Sequence, residues 1–234
     1  MNRSGRGTKE AARRRPSVLY PGDVEDAMPE GNLARWLATY LLETILRVVA
    51  VLARDSAYAN LPIYYVKGDP AKHVSPDVFF LRGVPYDPDL VSYRLWETRV
   101  APRVVFEIVS RKNPWKDRVR NREIYESLRI PEYYWFEPRK GTLAGMRLDE
   151  GSGRYVPEPP GEGGRIRSPE LGLEVGLEGR HLALYKGGVY LPPTEELLSH
   201  LEGELSAKDR ELAEERRRRE ELEKRLRELE GRDK

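Results

Sequence analysis

Apolar and polar positions follow three rhythms along the chain, and each rhythm predicts a different kind of element. From Asn32 to Arg54 the rhythm is helical: Leu33, Leu37, Tyr40, Leu41, Thr44, Val48 and Leu52 fall on one face, and Asn32 is placed to cap the start. Further on, the rhythm shortens. Val74 to Leu81 and Arg103 to Ser110 are rich in β-branched and aromatic residues and predict two strands. Leu61 to Lys67 predicts another strand, followed by a turn at Gly68-Asp69-Pro70. Arg82 to Arg99 predicts a long loop that Trp96 could pin. Lys116 to Leu128 predicts a second helix, Tyr133 to Phe136 an aromatic strand closed by Glu137-Pro138, and Leu143 to Leu148 a further strand. Glu150 to Pro169 predicts a loop with one short strand near Tyr155. Leu171 to Tyr190 predicts a hairpin in which Leu173, Val175 and Leu177 alternate before Leu182, Leu184 and Tyr185 return. The order helix, strands, helix, strand defines an α/β fold with a mixed β-sheet flanked by helices.

The third rhythm begins after Pro192-Pro193, where Thr194, Glu195 and Glu196 read as a helix start. One heptad frame then runs to the end. Leu198, Leu205, Leu212 and Leu226 share one seam position, Leu201, Leu222 and Leu229 the other, and Lys208, Glu215 and Arg219 interrupt it. This predicts a C-terminal coiled-coil helix with weak central layers, hence a homo-oligomer, a dimer in the simplest case; a single exposed helix is the alternative. Nine basic and nine acidic residues between Lys208 and Glu230 favour a solvated, salt-bridged helix over a nucleic-acid-binding arm. Three regions result: a disordered basic arm over 1–16, a globular domain over 17–192 and the coiled-coil helix over 193–234. In the arm, Arg3, Arg6, Lys9, Arg13, Arg14 and Arg15 stand against Glu10 alone, which predicts a solvated tail with non-specific phosphate contact as the alternative.

Composition narrows the chemistry. With no cysteine, disulfides, thiolate metal sites and cysteine nucleophiles are excluded, and a reducing cytoplasm fits. The three histidines, His73, His181 and His200, are scattered, which argues against a histidine-rich metal site. A net charge of +2 makes the whole molecule no electrostatic magnet for DNA, so any basic patch must be local. No apolar run reaches membrane-spanning length, and the expectation is a cytoplasmic protein with no membrane contact.

The candidate chemistry lies in the two central strands. Each carries one carboxylate, Asp77 or Glu107, where a hydrophobic residue would be expected. Burying an ionised carboxylate without a partner is costly, and a hard divalent cation is a common partner for two convergent ones. We therefore expect Asp77 and Glu107 to meet across neighbouring strands and hold Mg²⁺ or Mn²⁺. Such a pair, with coordination positions open to water and substrate, suits hydrolysis of phosphodiesters, and it also needs a fixed cation near the scissile phosphate. Glu43, the one acid within the first helix, is either a third acidic group near the metal or a partner for Arg47 one turn on. Alternative roles exist for the pair: Asp77 could cap a turn after Pro76, and Glu107 could pair with a helix arginine.

The residues Ser75-Pro76-Asp77-Val78, Val105-Phe106-Glu107-Ile108-Val109-Ser110, Asp117, Tyr125, and Pro131-Glu132-Tyr133 ending in Glu137-Pro138 resemble the Uma2 family of bacterial endonucleases, within the PD-(D/E)XK nuclease superfamily. Lys72-His73, Leu95-Trp96-Glu97 and Leu171-Gly172-Leu173 match as well, and the likeness spans about Tyr20 to Tyr190. The resemblance implies a restriction-endonuclease-like core: a helix, a short mixed sheet, a helix and a further strand. It implies Asp77 and Glu107 as metal ligands, the Ile108 carbonyl as another, and Glu43 as a match to an acidic position of the family's first helix. It also exposes departures. The superfamily's lysine would fall two residues after Glu107, where Val109 stands. Family members tend to keep a lysine on the next helix instead, but here that stretch reads Arg118-Val119-Arg120-Asn121-Arg122. Arg120 or Arg122 could supply the positive charge, though an arginine cannot act as a base; Lys67, Lys112 and Lys116 are other candidates. Asn113 stands near a threonine of the family.

Two functions follow. One is a metal-dependent endonuclease hydrolysing DNA. The other is a catalytically lapsed nuclease-fold protein, a nucleic-acid-binding or scaffold module that recruits a partner through its coiled coil.

Overall fold

The helical rhythm near the start produces α1 (Asn32–Val48), whose buried residues are Leu37, Ala38, Tyr40, Leu41, Thr44 and Ile45. The structure, a computed structural model, describes residues 32–49, 54–109 and 114–230, and their side chains other than those of 114–118 and 226–230. The predicted basic arm over 1–16, Leu52, Ser110, Lys112 and Asn113 lie outside the described residues, as do the side chains of Lys116, Asp117, Leu226 and Leu229. Leu33, expected on the buried face, is 40% exposed, because the buried stripe turns toward Ala38 and Ile45 instead.

Six strands form the main sheet: β1 (Ser56–Ala59), β4 (Val78–Leu81), β6 (Val104–Ile108), β7 (Glu132–Glu137), β8 (Thr142–Leu148) and β9 (Tyr155–Glu158), in that spatial order. The β6 and β7 strands are parallel and the other neighbours antiparallel. A parallel pair needs a crossover, and α3 (Pro114–Ser127) supplies it. Hence α1, β4, β6, α3 and β7 run in the order that the sequence predicts for the core, and β1, which it does not predict, adds a strand beside β4. The long loop predicted for Arg82 to Arg99 holds β5 (Tyr93–Arg94) and a short helix, α2 (Leu95–Thr98). The buried Tyr93 pins it, donating its hydroxyl to the Val100 carbonyl at 2.7 Å, while Trp96 is only half-buried. β5 joins β2 (Ile63–Tyr64) and β3 (His73–Val74) in a small three-stranded sheet. The strand expected over Leu61 to Lys67 is therefore only its Ile63–Tyr64 portion, and the run from Val74 to Leu81 is broken at Pro76, whose ring allows no ladder donor.

The C-terminal part of the domain contains more sheet than its turn-rich composition predicts. β10 (Ile166–Ser168), β11 (Leu173–Glu178), β12 (His181–Lys186) and β13 (Val189–Tyr190) form a four-stranded antiparallel sheet. The predicted hairpin is its β11–β12 pair, with Val175 opposite Leu184.

Alternation along the strands divides the apolar side chains into two cores. One face of the main sheet (Val78, Phe80, Val104, Phe106, Ile108, Tyr134, Phe136) packs with α1 and with Ile166, Leu173, Val175 and Leu184 of the second sheet. The Tyr40 hydroxyl fastens this core: it donates to the Leu191 carbonyl at 2.8 Å and accepts from the Leu184 N–H at 2.8 Å. The other face (Tyr58, Phe79, Leu81, Val105, Tyr133, Tyr155) packs with Tyr125, Ile130 and the small sheet. Odd-numbered residues of β4 and β6 thus face α3, and even-numbered ones face α1.

The last helix, α4 (Thr194–Glu230), has 37 residues and is about 55 Å long at 1.5 Å per residue. Arg47 of α1 ties its start to the domain, donating to the Pro192 carbonyl at 2.7 Å. Arg47 is therefore spent on this link, not on the Glu43 pairing considered above. Among the described residues, no helix is long and apolar enough to cross a membrane.

Candidate active site

Register brings the two acids together. β4 and β6 are antiparallel, with Val78 opposite Phe106. One residue further toward that end of the ladder, Asp77 stands opposite Glu107, and both fall on the face turned toward α3. Facing positions in a regular antiparallel ladder have Cβ atoms roughly 5 Å apart. Asp77 lies just before β4, and its carbonyl accepts the Asn60 N–H at 3.1 Å. Its Oδ2 accepts the N–H of Ile108, the residue after Glu107. This contact draws the Asp77 carboxylate across to the partner strand. In β6, Glu107 is the only residue not buried, between Phe106 and Ile108. Both carboxylates are half-buried, so solvent reaches them.

The crossover helix holds Glu107 in place. The Asn121 side-chain amide donates to its Oε1 at 2.9 Å, and the Tyr125 hydroxyl donates to the same oxygen. Residues four apart share a helix face, which is why Asn121 and Tyr125 reach one atom. Burial raises the Tyr125 pKa well above that of an ordinary tyrosine, and the Glu107 charge and hydrogen bond raise it further, with a smaller contribution from Asp77. The phenol therefore stays protonated and remains a donor.

The other expected site residues lie elsewhere. Arg122 is turned away from the pair: it contacts Glu126 at 3.2 Å and the Tyr155 carbonyl at 3.1 Å. Glu126 also accepts Arg154 at 2.9 Å and the Tyr155 N–H at 2.8 Å. Arg122 is thus a partner of Glu126. Arg120 is exposed on the opposite flank of α3, where it lines a cleft with Lys72. Glu43 is exposed on α1, and among the described residues no group of three or more His, Asp or Glu gathers, so Glu43 does not join Asp77 and Glu107. Lys67 is exposed in the turn between β2 and β3. Reading the sequence for a lysine passed over Asn121; its four-residue spacing to Tyr125 is the feature that would have found it.

A second acidic centre lies at the far end of the sheet and on its other face. Glu132, 1% exposed, accepts from Ser168, from the Glu170 N–H at 3.1 Å and from Arg147 at 3.4 Å. Burial nevertheless keeps its pKa above the usual glutamate value. Arg103 closes the network with a bidentate grip on Glu170 at 2.9 and 2.6 Å. Every oxygen of Glu132 has a donor, and the network joins β7 to the second sheet.

Two partly exposed carboxylates thus lie at one end of a mixed sheet in an α/β fold, and a crossover helix holds one of them. A family model described as "Putative restriction endonuclease" matches residues 13–185, and the chain belongs to that family, Uma2. A solved structure from Anabaena variabilis ATCC 29413, described as a "putative nuclease belonging to DUF820", is similar at 16% identity and a TM-score of 0.45, over 62% of this chain and 75% of that one. No curated protein matches the chain.

The donor set suits a divalent cation. Hard cations take oxygen ligands, and Mg²⁺ uses one or two carboxylates with water and substrate oxygens completing its shell. Asp77, Glu107 and the Ile108 carbonyl are all oxygen donors at one strand end, and Tyr125 and Asn121 give Glu107 the hydrogen-bonded support that ligating carboxylates commonly have.

Proposed function

We propose that this protein is a metal-dependent endonuclease that hydrolyses DNA phosphodiester bonds with Mg²⁺ or Mn²⁺. The observation that supports the reading is that the Asp77 carboxylate accepts the N–H of Ile108, the residue after Glu107, while Asn121 and Tyr125 hold Glu107 from α3. Asp77 and Glu107, with the Ile108 carbonyl, would hold the cation. When bound, it would neutralise charge on the phosphate and make a water more acidic. The chain's own residues orient this site. The Ile108 N–H fixes Asp77, and Asn121 and Tyr125 fix Glu107 from the helix side. Arg120, exposed on another flank of α3, would supply positive charge to a bound strand from the neighbouring cleft.

A second reading is favoured by one observation. The α3 residue that meets Glu107 is an amide, Asn121, where a lysine would be expected to stabilise a scissile phosphate. In this reading the chain binds nucleic acid without cutting it. Nicking of supercoiled plasmid with Mg²⁺ or Mn²⁺ separates the two. The nuclease reading predicts cleavage that falls more than about a hundredfold in Asp77→Ala. Cleavage that survives the substitution removes Asp77 from the chemistry, and binding with no cleavage in either metal supports the lapsed form.

A further inference from the structure

A cleft of about 540 Å³ opens between the β2–β3 hairpin and α3, on a flank of the helix next to the one that carries Asn121 and Tyr125. The hairpin contributes Tyr65, Ala71 and Lys72, and the helix contributes Arg120, Glu123, Ile124 and Ser127. The hairpin is held shut by the Tyr65 N–H donating to the Lys72 carbonyl at 3.2 Å. This bond fixes the backbone from which Lys72 projects. Both sides are tied to the site: Lys72 lies five residues before Asp77, and Arg120 immediately precedes Asn121.

The two cations differ from several other arginines among the described residues. Arg122 and Arg154 share Glu126, Arg103 and Arg82 share Glu170, and Arg147 contacts Glu132 and Glu158. Lys72 and Arg120 form no ion pair or side-chain hydrogen bond among the described residues, although Glu123 lines the same cleft. Two unspent positive charges from separate elements, facing one open cleft, form a site for an anion with more than one charge centre. A phosphodiester backbone presents such charges at regular intervals, and phosphate contacts of this kind set the position of a nucleic acid without reading its sequence.

We propose that Lys72 and Arg120 form a phosphate clamp that holds the backbone of a DNA strand alongside the Asp77–Glu107 pair. The proposal deepens the nuclease reading and rests on it for the identity of the strand. Lys72 and Arg120 are positioning residues: they fix which phosphate reaches the acids and take no part in bond breaking. Arg120, Glu123, Ile124 and Ser127 recur at helical spacing and line the cleft, while Asn121 and Tyr125 reach Glu107 from the adjacent flank of the same helix.

Binding of a fluorescein-labelled DNA duplex to the full chain, followed by anisotropy in chelator across a salt series, tests the clamp. Each lost phosphate contact lowers the slope of log affinity against log salt by about 0.9. The double substitution Lys72→Ala/Arg120→Ala should weaken binding about tenfold at physiological salt and reduce the slope by about 1.8. Arg120→Lys alone should keep most of the slope, while Lys186→Ala, an exposed cation on the second sheet, should change neither quantity. Unchanged affinity and slope in the double variant overturn the clamp. So does an equal loss in Lys186→Ala, and so does a wild-type chain that binds no duplex. The two readings fail separately. A chain that binds through the cleft but never cuts plasmid leaves the clamp standing without the chemistry. A chain that cuts while the double variant binds normally does the reverse.

Discussion

Glu107 is held from the helix by two donors to one oxygen, and each donor has a different consequence. Tyr125 is buried, so removing its hydroxyl leaves no water to replace it. Tyr125→Phe should loosen Glu107, weaken cleavage by roughly ten- to a hundredfold and cost about 1–2 kcal/mol of stability. Plasmid nicking and thermal unfolding of that variant measure both; full activity would show that the phenol does not position the acid. At this scale the sequence was informative about identity and poor about direction. Asp77 and Glu107 could be picked out because each interrupts an apolar strand run. The positive charge could not be placed, because Arg120, Asn121 and Arg122 are consecutive and a helix turns each about 100° from the next. Only the packing of α3 shows that Asn121 meets Glu107, that Arg122 meets Glu126 and that Arg120 faces the cleft.

Among the elements, α3 joins β9 through a charge network whose strength depends on pH. Burial opposes ionisation of Glu126, but the Tyr155 N–H, Arg154 and Arg122 together outweigh it and keep its pKa below the usual glutamate value. Arg103 does the same for Glu170, against burial. Because the folded values are depressed, the stability these groups add is fully present above the ordinary glutamate pKa of about 4.3. It is lost as pH falls from there through the folded values. Arg122 and Arg154 are 41% and 71% exposed, so the Glu126 contribution is only about 1 kcal/mol after solvent screening. Thermal unfolding should therefore show Glu126→Gln less stable than wild type at pH 7, with the two curves converging below pH 4; a gap that persists at low pH would locate the effect in packing. The elements themselves were largely legible. α1, β4, β6, α3 and β7 follow from period and composition, since each buries a face against the sheet. The sheet of β10 to β13 was half legible: its β11–β12 hairpin alternates, but β10 is three residues long and lies in a stretch rich in Gly and Pro. Such a short strand is specified by its neighbours and has no rhythm of its own.

For the molecule as a whole, α4 carries a seam of exposed leucines. Leu198, Leu201, Leu205, Leu212 and Leu222 are each about half or more exposed on it. A helix this long with an exposed leucine seam gains stability by pairing, which in the simplest case joins two copies. We expect light scattering to find a dimer, and Leu201→Lys/Leu205→Lys to give a monomer whose domain unfolds at an unchanged temperature; a wild-type monomer would make α4 a lone solvated helix. The heptad frame was plain in the sequence, whereas the Arg47 link that fixes the helix start was not. That bond joins residues 145 positions apart and leaves no local trace.

The proposed cation site of Asp77 and Glu107 underlies the nuclease reading. Calorimetric titration of the full chain with Mn²⁺ tests it most directly, with Asp77→Asn and Glu107→Gln titrated alongside. A single site in the wild type that is lost in each variant is the predicted result. Binding that survives both substitutions, or no binding to the wild type at millimolar metal, would contradict it.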